Sequence, residues 1–392
     1  MISVKEAQEL VLQRASLFLV ETIDIEQAYG RTLAEDMVAD RDYPPFNRAA
    51  MDGYAFRSKE ASEVTEWEIT GDLFAGHQWD KAIEKGQCIK IMTGATTPSE
   101  LDCIVQVELA SVANGKVSFP NAPTRPWQNI ARKGEDCASG DRILKAGTQL
   151  YPTEIATLAV LGKKEIKVLR NPKLAILSTG DELVPVGDPV SPFQIRDSNA
   201  HSLTAFFQSL HIPISHKAIV KDTPEMLEEA LQKVISYDII ILSGGVSMGD
   251  ADYVPGILQK IGIQKVFHKV QLRPGKPLWF GQNPNGGVVF GLPGNPLSCQ
   301  VCFKLFIEPY VRKCAGLESK NQLVYPIAFA KKKKVKLDEY FPVELQNGVL
   351  YPIRFNGSGD ITSTLGSTGL ALHPIHVEDL PEGTLLEYIS WV

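Results

Sequence analysis

The sequence predicts a multidomain α/β plus β protein, in which a central three-layer α/β domain with a mostly parallel sheet follows a β-rich N-terminal subdomain and precedes a small C-terminal barrel-like β domain. Wholly apolar short segments alternate with helical segments over residues 173–314, which is typical of a parallel sheet covered on both faces. Short strand-like runs between Gly, Pro and Asn recur over residues 53–130 and again after residue 335. At roughly 100–200 residues per domain, the 392-residue chain accommodates two to four domains.

The N-terminal region is predicted to span residues 1–168, with a β subdomain inserted at about 45–137. A helix is expected over residues 3–20, since Ser3 and Glu6 have the spacing of a capping box. A second helix is expected near Pro152–Leu161, with Gly162 at its C-terminal side.

The α/β domain is predicted to span residues 169–316, with apolar strands at 174–177, 238–242 and 288–290. Helices are expected near Ser198–Leu210, with Ser198 or Asn199 as the cap, and after Thr223, where Pro224 suits the first helical position. A further helix should run from Pro296 to about Cys314. The C-terminal β domain is predicted to span residues 317–392. We interpret Lys331–Lys334 within it as a solvated linker.

Composition excludes several classes of protein. The formal net charge of −6 argues against a nucleic-acid partner. No apolar segment reaches the roughly 18–20 residues that cross a bilayer, and no signal peptide is recognised, so we expect a cytoplasmic protein without a membrane partner. The six scattered cysteines predict free thiols, and Cys299 and Cys302 fall within a predicted helix, where structural thiols are favoured over a metal or redox pair. His373 and His376 are interpreted as members of a Pro-containing loop and not as ligands.

Three polar, Gly-rich loops follow strands of the α/β domain, at 178–182, 243–253 and 291–296. Ligands bind outside the carboxyl ends of strands in such sheets, so these loops should line one site. Gly244 and Gly245 allow successive amides to form an anion nest, to which Ser247 adds a hydroxyl. Asp250 and Asp252 place carboxylates beside it, as a magnesium–phosphate site requires, although a Gly-rich turn with solvated acids has the same pattern.

Positive charge is predicted in the segment from Lys269 to Lys276. If this segment is extended, Lys269, Gln271 and Arg273 lie on one face, where the two cations could bind an oxyanion. A solvated basic edge strand is the alternative. In the 291–296 loop, the exposed amides before the helix that begins at Pro296 favour an anion, and a rigid βα turn is the alternative.

Nine short motifs, in order along almost the whole chain, give a resemblance to a known family. They are AMDGYA at 50–55, MTGA at 92–95, GED at 134–136, STGDEL at 178–183, GGVSMGDADY at 244–253, PGKP at 274–277, FG at 280–281, GLPGNP at 291–296 and GSG at 357–359. Together they resemble the molybdopterin molybdenumtransferases, called MoeA in bacteria and represented by the gephyrin E domain in animals. The α/β domain also looks like the stand-alone molybdopterin adenylyltransferases.

The resemblance implies a reaction and a set of site residues. Adenylylated molybdopterin and molybdate would be the substrates, AMP would be released, and Mg²⁺ is the implied metal. The family positions that match are Asp52, Thr93, Asp136, Glu182, Asp222, Asp252, Lys269, Arg273, Pro293, Pro296 and Ser358. Asp52, Glu182 and Asp252 would hold or orient the metal, Asp136 would belong to the catalytic set, and Lys276 would add charge beside Lys269 and Arg273.

The resemblance also implies a homodimer, with a site between the α/β domain of one subunit and the N-terminal region of the other, and it leaves room for contact with an adenylyltransferase. Two rival functions are adenylylation of molybdopterin and a gephyrin-like scaffold role. Ala131 departs from the family, which usually has Arg after the Asn-Ile pair. Either Arg132 supplies that guanidinium or one anion contact is missing. Arg273 also stands where some members have Lys.

Overall fold

The computed structural model describes residues 1–245, 253–318, 321–362 and 364–391. The chain divides into two compact units. Unit 1 comprises Met1–Ala34, Gly147–Ile155 and Glu165–Val392, and unit 2 comprises Glu35–Ala146 and Ala156–Lys164. The mixed α/β and β architecture that the sequence predicts is confirmed, whereas the three domain boundaries drawn from the sequence stay predictions.

The α-helices share short lengths of 7 to 11 residues. In chain order they are α1 (Val4–Leu12), α2 (Pro152–Val160), α3 (Asn199–Ser209), α4 (Pro224–Val234), α5 (Val254–Lys260), α6 (Pro296–Cys302) and α7 (Glu308–Cys314). A π-helical segment, Phe303–Ile307, joins α6 to α7.

The strands are given in chain order. The first group is β1 (Val20–Asp24), β2 (Met37–Val38), β3 (Arg48–Ala49), β4 (Gly53–Phe56), β5 (Trp67–Leu73), β6 (Gln87–Ile91), β7 (Cys103–Gln106), β8 (Ser111–Ala113), β9 (Lys116–Ser118), β10 (Ile130–Ala131), β11 (Arg142–Leu144) and β12 (Glu165–Leu169). The second group is β13 (Leu174–Thr179), β14 (Leu183–Val184), β15 (Ile195–Arg196), β16 (His216–Val220), β17 (Ile239–Ser243), β18 (Gln264–His268), β19 (Leu272–Arg273), β20 (Trp279–Gln282) and β21 (Val288–Leu292). The third group is β22 (Leu323–Pro326), β23 (Lys331–Lys332), β24 (Asp338–Gln346), β25 (Val349–Pro352), β26 (Gly369–His373), β27 (Asp379–Leu380) and β28 (Leu385–Ser390).

The main sheet of unit 1 has the strand order β16-β13-β17-β21-β20-β18. The first four strands are parallel, and β20 runs antiparallel to both of its neighbours. All residues of β13, β17 and β21 are buried, as their uniformly apolar sequences predict. Residues from α3 and α6 pack on one face and residues from α4 and α5 on the other, so the sheet has helices on both sides.

The C-terminal strands of unit 1 form a second sheet, in the order β19-β24-β26-β28-β22, with β25 paired to the other end of β24. A bridge between Ile327, which follows β22, and Leu350 of β25 joins the two ends of this arrangement. Phe341, Val343 and Leu386 are among the buried residues of its small core. Strand β19 enters this sheet from the segment that contains the predicted basic cluster, because Leu272 and Arg273 pair with Asp338 and Glu339.

Unit 2 is built on a six-stranded sheet in the order β7-β4-β6-β5-β9-β8. Two clusters of buried apolar side chains support it, one around Ile89 and Ile104 and the other around Phe56 and Trp67. The short strands β3 and β10 pair beside this sheet and carry Ala49 and Ile130 into the first cluster. The many short strands predicted for this region are confirmed.

Some local predictions need correction. The first helix ends at Leu12 and not at residue 20, since residues 13–19 are non-helical and the Phe18 amide donates to the carbonyl oxygen of Cys314 at 2.9 Å. The next strand, β1, begins at Val20 and pairs with β12. His373 is not in a loop: it ends β26, fully buried, and its Nε2 lies 2.9 Å from the carbonyl oxygen of Val377. Among the described residues, no helix is both long and apolar enough to cross a membrane.

Candidate functional site

A cleft of about 720 Å³ lies in unit 1 where the four parallel strands end. Thr179, Asp222, Gly244 and Gly294 of its lining follow or end the strands β13, β16, β17 and β21 respectively. The other lining residues are Glu182, Leu183, Val190, Gln194, Ile195, Arg196, Asp197, Ser198, Asn199, Ser243, Gly245, Asn295, Pro296, Gly359 and Ile361. The described residues of the three loops that the sequence assigns to one site therefore meet at one rim.

Gly244 and Gly245 are positions that only glycine fits. Both have positive φ, +97° and +63°, which disfavours residues with a Cβ atom. A Cβ on Gly244 would lie 2.5 Å from the carbonyl oxygen of Thr179, and one on Gly245 would lie 2.8 Å from the Thr179 hydroxyl. The paired glycines therefore let the turn after β17 pack directly against the end of β13, so backbone atoms and not side chains form this part of the cleft surface.

The floor of the cleft is a buried polar network that the sequence analysis missed. The Asn199 side-chain amide donates to the hydroxyl of Ser243 at 2.9 Å and to the carbonyl oxygen of Gly294 at 2.7 Å. These two bonds tie the start of α3 to the ends of β17 and β21. Asn199 was considered only as a helix cap, and the signal that could have revealed it is its place directly after Asp197-Ser198, in a polar run between two apolar segments.

Asp197 and Thr179 complete the floor. Ser198 occupies the N-cap position of α3, as predicted, but its side chain makes no capping hydrogen bond. The Asp197 carboxylate instead accepts a hydrogen bond from the backbone amide of Ala200 at 3.1 Å. The buried Thr179 hydroxyl has no partner among the described residues. Leaving a buried hydroxyl unpaired costs about 1–3 kcal/mol, which a ligand that bonds it would recover.

Two predicted acids line the cleft, and a third serves a different purpose. Glu182 is exposed and its carboxylate packs over Gly180, where a Cβ would come within 2.6 Å of Oε2. Asp222 is half-buried at the end of β16. Asp181 accepts a hydrogen bond from the backbone amide of Asp222 at 3.2 Å, so it positions the loop that carries the second acid.

The 291–296 loop contributes Pro296 to the lining, while Pro293 is buried behind it. The Pro293 carbonyl accepts a bond from the Cys299 thiol at 2.9 Å, and burial raises the pKa of that thiol to about 12. Cys299 and Cys302 are therefore structural, as predicted, and all six cysteines are free. Ser358 hydrogen-bonds the side-chain amide of Asn295 at 2.8 Å, which places it beside the cleft.

The predicted basic cluster is not part of the cleft lining, and its expected backbone is wrong in one respect. Lys269 has φ +71°, so the extended strand contains only Leu272 and Arg273. Arg273 lies 3.7 Å from the Glu339 carboxylate, and Lys276 is exposed. A separate cavity of about 430 Å³ begins at Gln271 and is lined by Lys333, Lys334 and Lys336 among others.

In unit 2, Asp52 lies on an exposed loop and is held by Thr93. The backbone amide and the hydroxyl of Thr93 each donate to Asp52 Oδ1 at 2.7 Å, and these bonds lower the pKa of Asp52. Asp52 and Thr93, predicted from separate motifs, are thus direct partners. The carboxylate is kept ionised with its second oxygen outside this pair of bonds, which suits it to a cation.

The third predicted site residue of unit 2, Asp136, is exposed, and its backbone amide donates to the carbonyl oxygen of Tyr43 at 2.9 Å. The loops around Asn47–Asp52, Met92–Thr97 and 127–136, which we call the loop edge of unit 2, are joined by backbone bonds such as Gly94 to Ala49 and Ala50 to Asn129. All three predicted residues of unit 2 therefore lie on this loop edge.

The predicted residues Ser247 and Asp252, together with Asp250, lie outside the described residues. The metal set of Asp52, Glu182 and Asp252 therefore stays a prediction. Within the residues that the structure describes, no group of three or more His, Cys, Asp or Glu side chains is arranged to hold a metal ion. The acids of the cleft, Glu182 and Asp222, nevertheless offer oxygen donors, which Mg²⁺ prefers when phosphate completes its coordination.

Parallel strands with glycines at their ends, a polar floor and an acidic rim define an α/β domain with a ligand-sized cleft at the carboxyl edge of its sheet. Residues 2–162 match the family described as "MoeA N-terminal region (domain I and II)", and residues 175–313 match the one described as "Probable molybdopterin binding domain". The chain belongs to the MoeA family, the molybdopterin molybdenumtransferases of molybdenum cofactor biosynthesis.

Individual relatives support this membership. The chain is 37% identical to a molybdopterin molybdenumtransferase of Haemophilus influenzae over 76% of this chain and 73% of that protein. It is 31% identical to one of Synechocystis over the full length of both. A solved MoeA molybdopterin biosynthesis protein of Pyrococcus horikosii is 31% identical, with a TM-score of 0.85 over 100% of this chain and 99% of that one.

Proposed function

We propose that this protein inserts molybdenum from molybdate into adenylylated molybdopterin and releases AMP, in a reaction that depends on Mg²⁺. The observation that carries the proposal is the cleft of about 720 Å³. It combines a glycine turn, two carboxylates at the ends of parallel strands and a buried hydroxyl that has no partner within the described part of the chain. Its size suits a nucleotide-sized ligand, since small-molecule sites usually measure roughly 300–1,000 Å³.

Different residues of the chain would bind the phosphate, hold the metal and fix the geometry of the cleft. The turn at Gly244 and Gly245 lets backbone approach a phosphate closely, and the Thr179 hydroxyl offers it a donor. Glu182 and Asp222, with Asp52 and Asp252, are the candidates to hold Mg²⁺, which when bound would neutralise charge on the phosphoryl oxygens. The two Asn199 bonds hold the start of α3 against the ends of β17 and β21, so these groups are fixed before the substrate binds.

Molybdate and a phosphate of the pterin need positive charge, and Lys269, Arg273 and Lys276 are our candidates to supply it. The carboxylate of Glu339 lies 3.7 Å from Arg273 and 3.0 Å from Lys331, so it aligns cations on the C-terminal sheet. The lysine-lined cavity that begins at Gln271 adds charge next to this segment. Each charge-assisted contact to an oxyanion would contribute about 1.5–3 kcal/mol.

We further propose that two copies of the chain form a cytoplasmic homodimer, in which the loop edge of unit 2 from one copy completes the cleft of the other. Asp52 is exposed and ionised, so its carboxylate can contact a group from outside its own subunit. The Thr93 bonds engage Oδ1 alone, so Oδ2 takes no part in this local contact and is suited to a cation.

Incubation with adenylylated molybdopterin, Mg²⁺ and molybdate tests the proposal. AMP and molybdenum-loaded pterin should form together, and only when molybdate is present. Consumption of ATP with molybdopterin would instead identify an adenylyltransferase. Absence of both reactions in a folded protein would favour a scaffold and contradict the proposed activity.

A further inference from the structure

The pairing of β3 with β10 places Arg48 directly opposite Ala131. In an antiparallel pair, opposite residues project from the same face with their Cβ atoms about 5 Å apart. Burial agrees with this register, because Ile130 and its partner Ala49 are both buried in the core of unit 2. Arg48 and Ala131 therefore share the outward face of the strand pair. Arg48 also forms an isolated antiparallel bridge with Thr96.

Arg132 does not occupy that place. It lies beyond the end of β10, which comprises Ile130 and Ala131. Its guanidinium lies 5.0 Å from the ring centroid of Trp127, and its backbone amide donates to the Glu135 carboxylate at 2.8 Å. The loop after β10 thus engages Arg132 locally, by a cation–π contact and a turn bond.

Arg48 is exposed, and within the described part of the chain no hydrogen bond or ion pair involves its guanidinium. Its surroundings on the loop edge are nevertheless well ordered by backbone bonds. Ala49, the next residue, accepts from the amide of Gly94, and Gly94 follows Thr93, the residue that holds Asp52. Arg48 and the ionised carboxylate of Asp52 thus lie four residues apart on the same loop edge, both exposed.

We propose that Arg48 is the residue of the loop edge that contacts a substrate oxyanion. Since Arg48 lies directly opposite Ala131 in the strand pair, its guanidinium replaces one that an arginine at position 131 would supply. The inference rests on the proposed function and names a residue that serves it. The oxyanion is a phosphate of the adenylylated pterin or the molybdate itself. Arginine suits either, because its planar donors match tetrahedral oxyanions in pairs.

The test uses Arg48→Gln, which keeps most of the stem and removes the charge, and Arg48→Gln/Ala131→Arg, which returns a guanidinium from the opposite strand. Arg48→Gln should raise KM about 10-fold with kcat little changed, since one charge-assisted contact is lost. The double variant should recover most of that loss. Separate titrations of adenylylated pterin and of molybdate show which KM moves and so which oxyanion is bound.

Arg142→Ala is the matched control, because Arg142 is an exposed arginine of unit 2 that pairs with Asp36 at 3.1 Å. It should leave both KM values unchanged, and melting temperatures should show that every variant is folded. An active wild type with unchanged KM values in Arg48→Gln would overturn the role of Arg48 alone. A larger effect in Arg132→Ala, or failure of Ala131→Arg to rescue, would also overturn it. A folded wild type that releases no AMP would refute the proposed function itself.

Discussion

The cleft of unit 1 and the loop edge of unit 2 carry predicted site residues in opposite ways. In the cleft the polar groups are buried and tied to one another, with Asn199 bonded both to Ser243 and to Gly294. On the loop edge the charged groups are exposed, and Asp52 is held by one neighbour, Thr93. Glycines allow close backbone contact in the cleft, whereas backbone bonds between loops order the edge.

This difference suggests a division of roles. A buried, interlinked floor is costly to rearrange, so it suits the recognition of one ligand shape. Exposed charged side chains contribute little to the free energy of folding, so substitutions among them leave stability nearly unchanged. The cleft should therefore determine ligand binding and local stability together, and the loop edge should affect turnover or substrate affinity while leaving stability unchanged.

The largest effect is expected for Asp52→Asn. Removing the negative charge while keeping the shape should lower the rate of AMP release on the order of 100-fold, as loss of a group that orients a metal does. The melting temperature should stay the same, because the side chain is exposed. Asp36→Asn is the control, since Asp36 is another exposed carboxylate of unit 2, bonded to the amide of Ala146. Normal AMP release by the Asp52→Asn variant would show that Asp52 on the loop edge has no role in the reaction.

Gly244→Ala tests the cleft side of the comparison. The new methyl group would meet the Thr179 carbonyl at 2.5 Å, so the free energy of unfolding should fall by about 1–3 kcal/mol beyond the cost of the strained φ. Gly286→Ala has φ +89° and no atom within 4 Å of the added Cβ, so it isolates that strain. Chemical denaturation of both variants measures the difference. Equal losses in the two would show that close packing at Gly244 contributes nothing.

Lys269→Ala should raise the KM for molybdate about 10-fold, because one charge-assisted contact is removed. Lys265→Ala, an exposed lysine of β18, should leave it unchanged. Molybdate titration of AMP release is the measurement. An identical titration in both variants would exclude Lys269 from the anion site.

The smallest effect is expected at the opposite end of the sheet, where Asp238 precedes β17. Partial burial opposes ionisation there, but the two bonds from the Arg170 guanidinium, each 2.7 Å, and one from the Lys173 amide lower the pKa of Asp238. A lowered carboxyl pKa stabilises the fold above the unfolded value, about 3.9, and this stabilisation is lost as the pH falls through the folded value.

Asp238→Asn should therefore cost about 1 kcal/mol in the free energy of unfolding at pH 7 and progressively less below pH 4. Denaturation at several pH values measures this cost, and AMP release should be unaffected. A deficit that does not depend on pH would show that the ion pair is not its source.

The sequence predicted what depends on local pattern. Uniformly apolar strands indicated the buried parallel sheet, and the Thr223-Pro224 pair marked the start of α4, whose first turn the Thr223 hydroxyl caps. It failed where distant segments decide the result. The helix predicted over residues 3–20 ends at Leu12, and Val20 instead begins the strand that pairs with β12. The positive φ of Lys269 is likewise not visible in the local sequence pattern, which predicted an extended segment.

The site was predicted to a similar degree. Motifs identified Glu182, Asp222 and the paired glycines, which line the cleft. Asn199 and Asp197 were missed because a polar residue before a helix has an ordinary role as a cap, and only the fold brings Asn199 to Ser243. Arg48 was missed because its relation to Ala131 exists only in the strand register.

Mixing two inactive variants tests the central claim most directly. Asp52→Asn and Glu182→Gln would be purified separately, combined, allowed to exchange subunits, and assayed for AMP release. If the loop edge of one copy serves the cleft of the other, half of the sites in each mixed dimer are intact, and random exchange should restore about a quarter of wild-type activity. If mixed dimers form and activity stays at the level of the separate variants, Asp52 and Glu182 do not meet across two copies, and the account is contradicted.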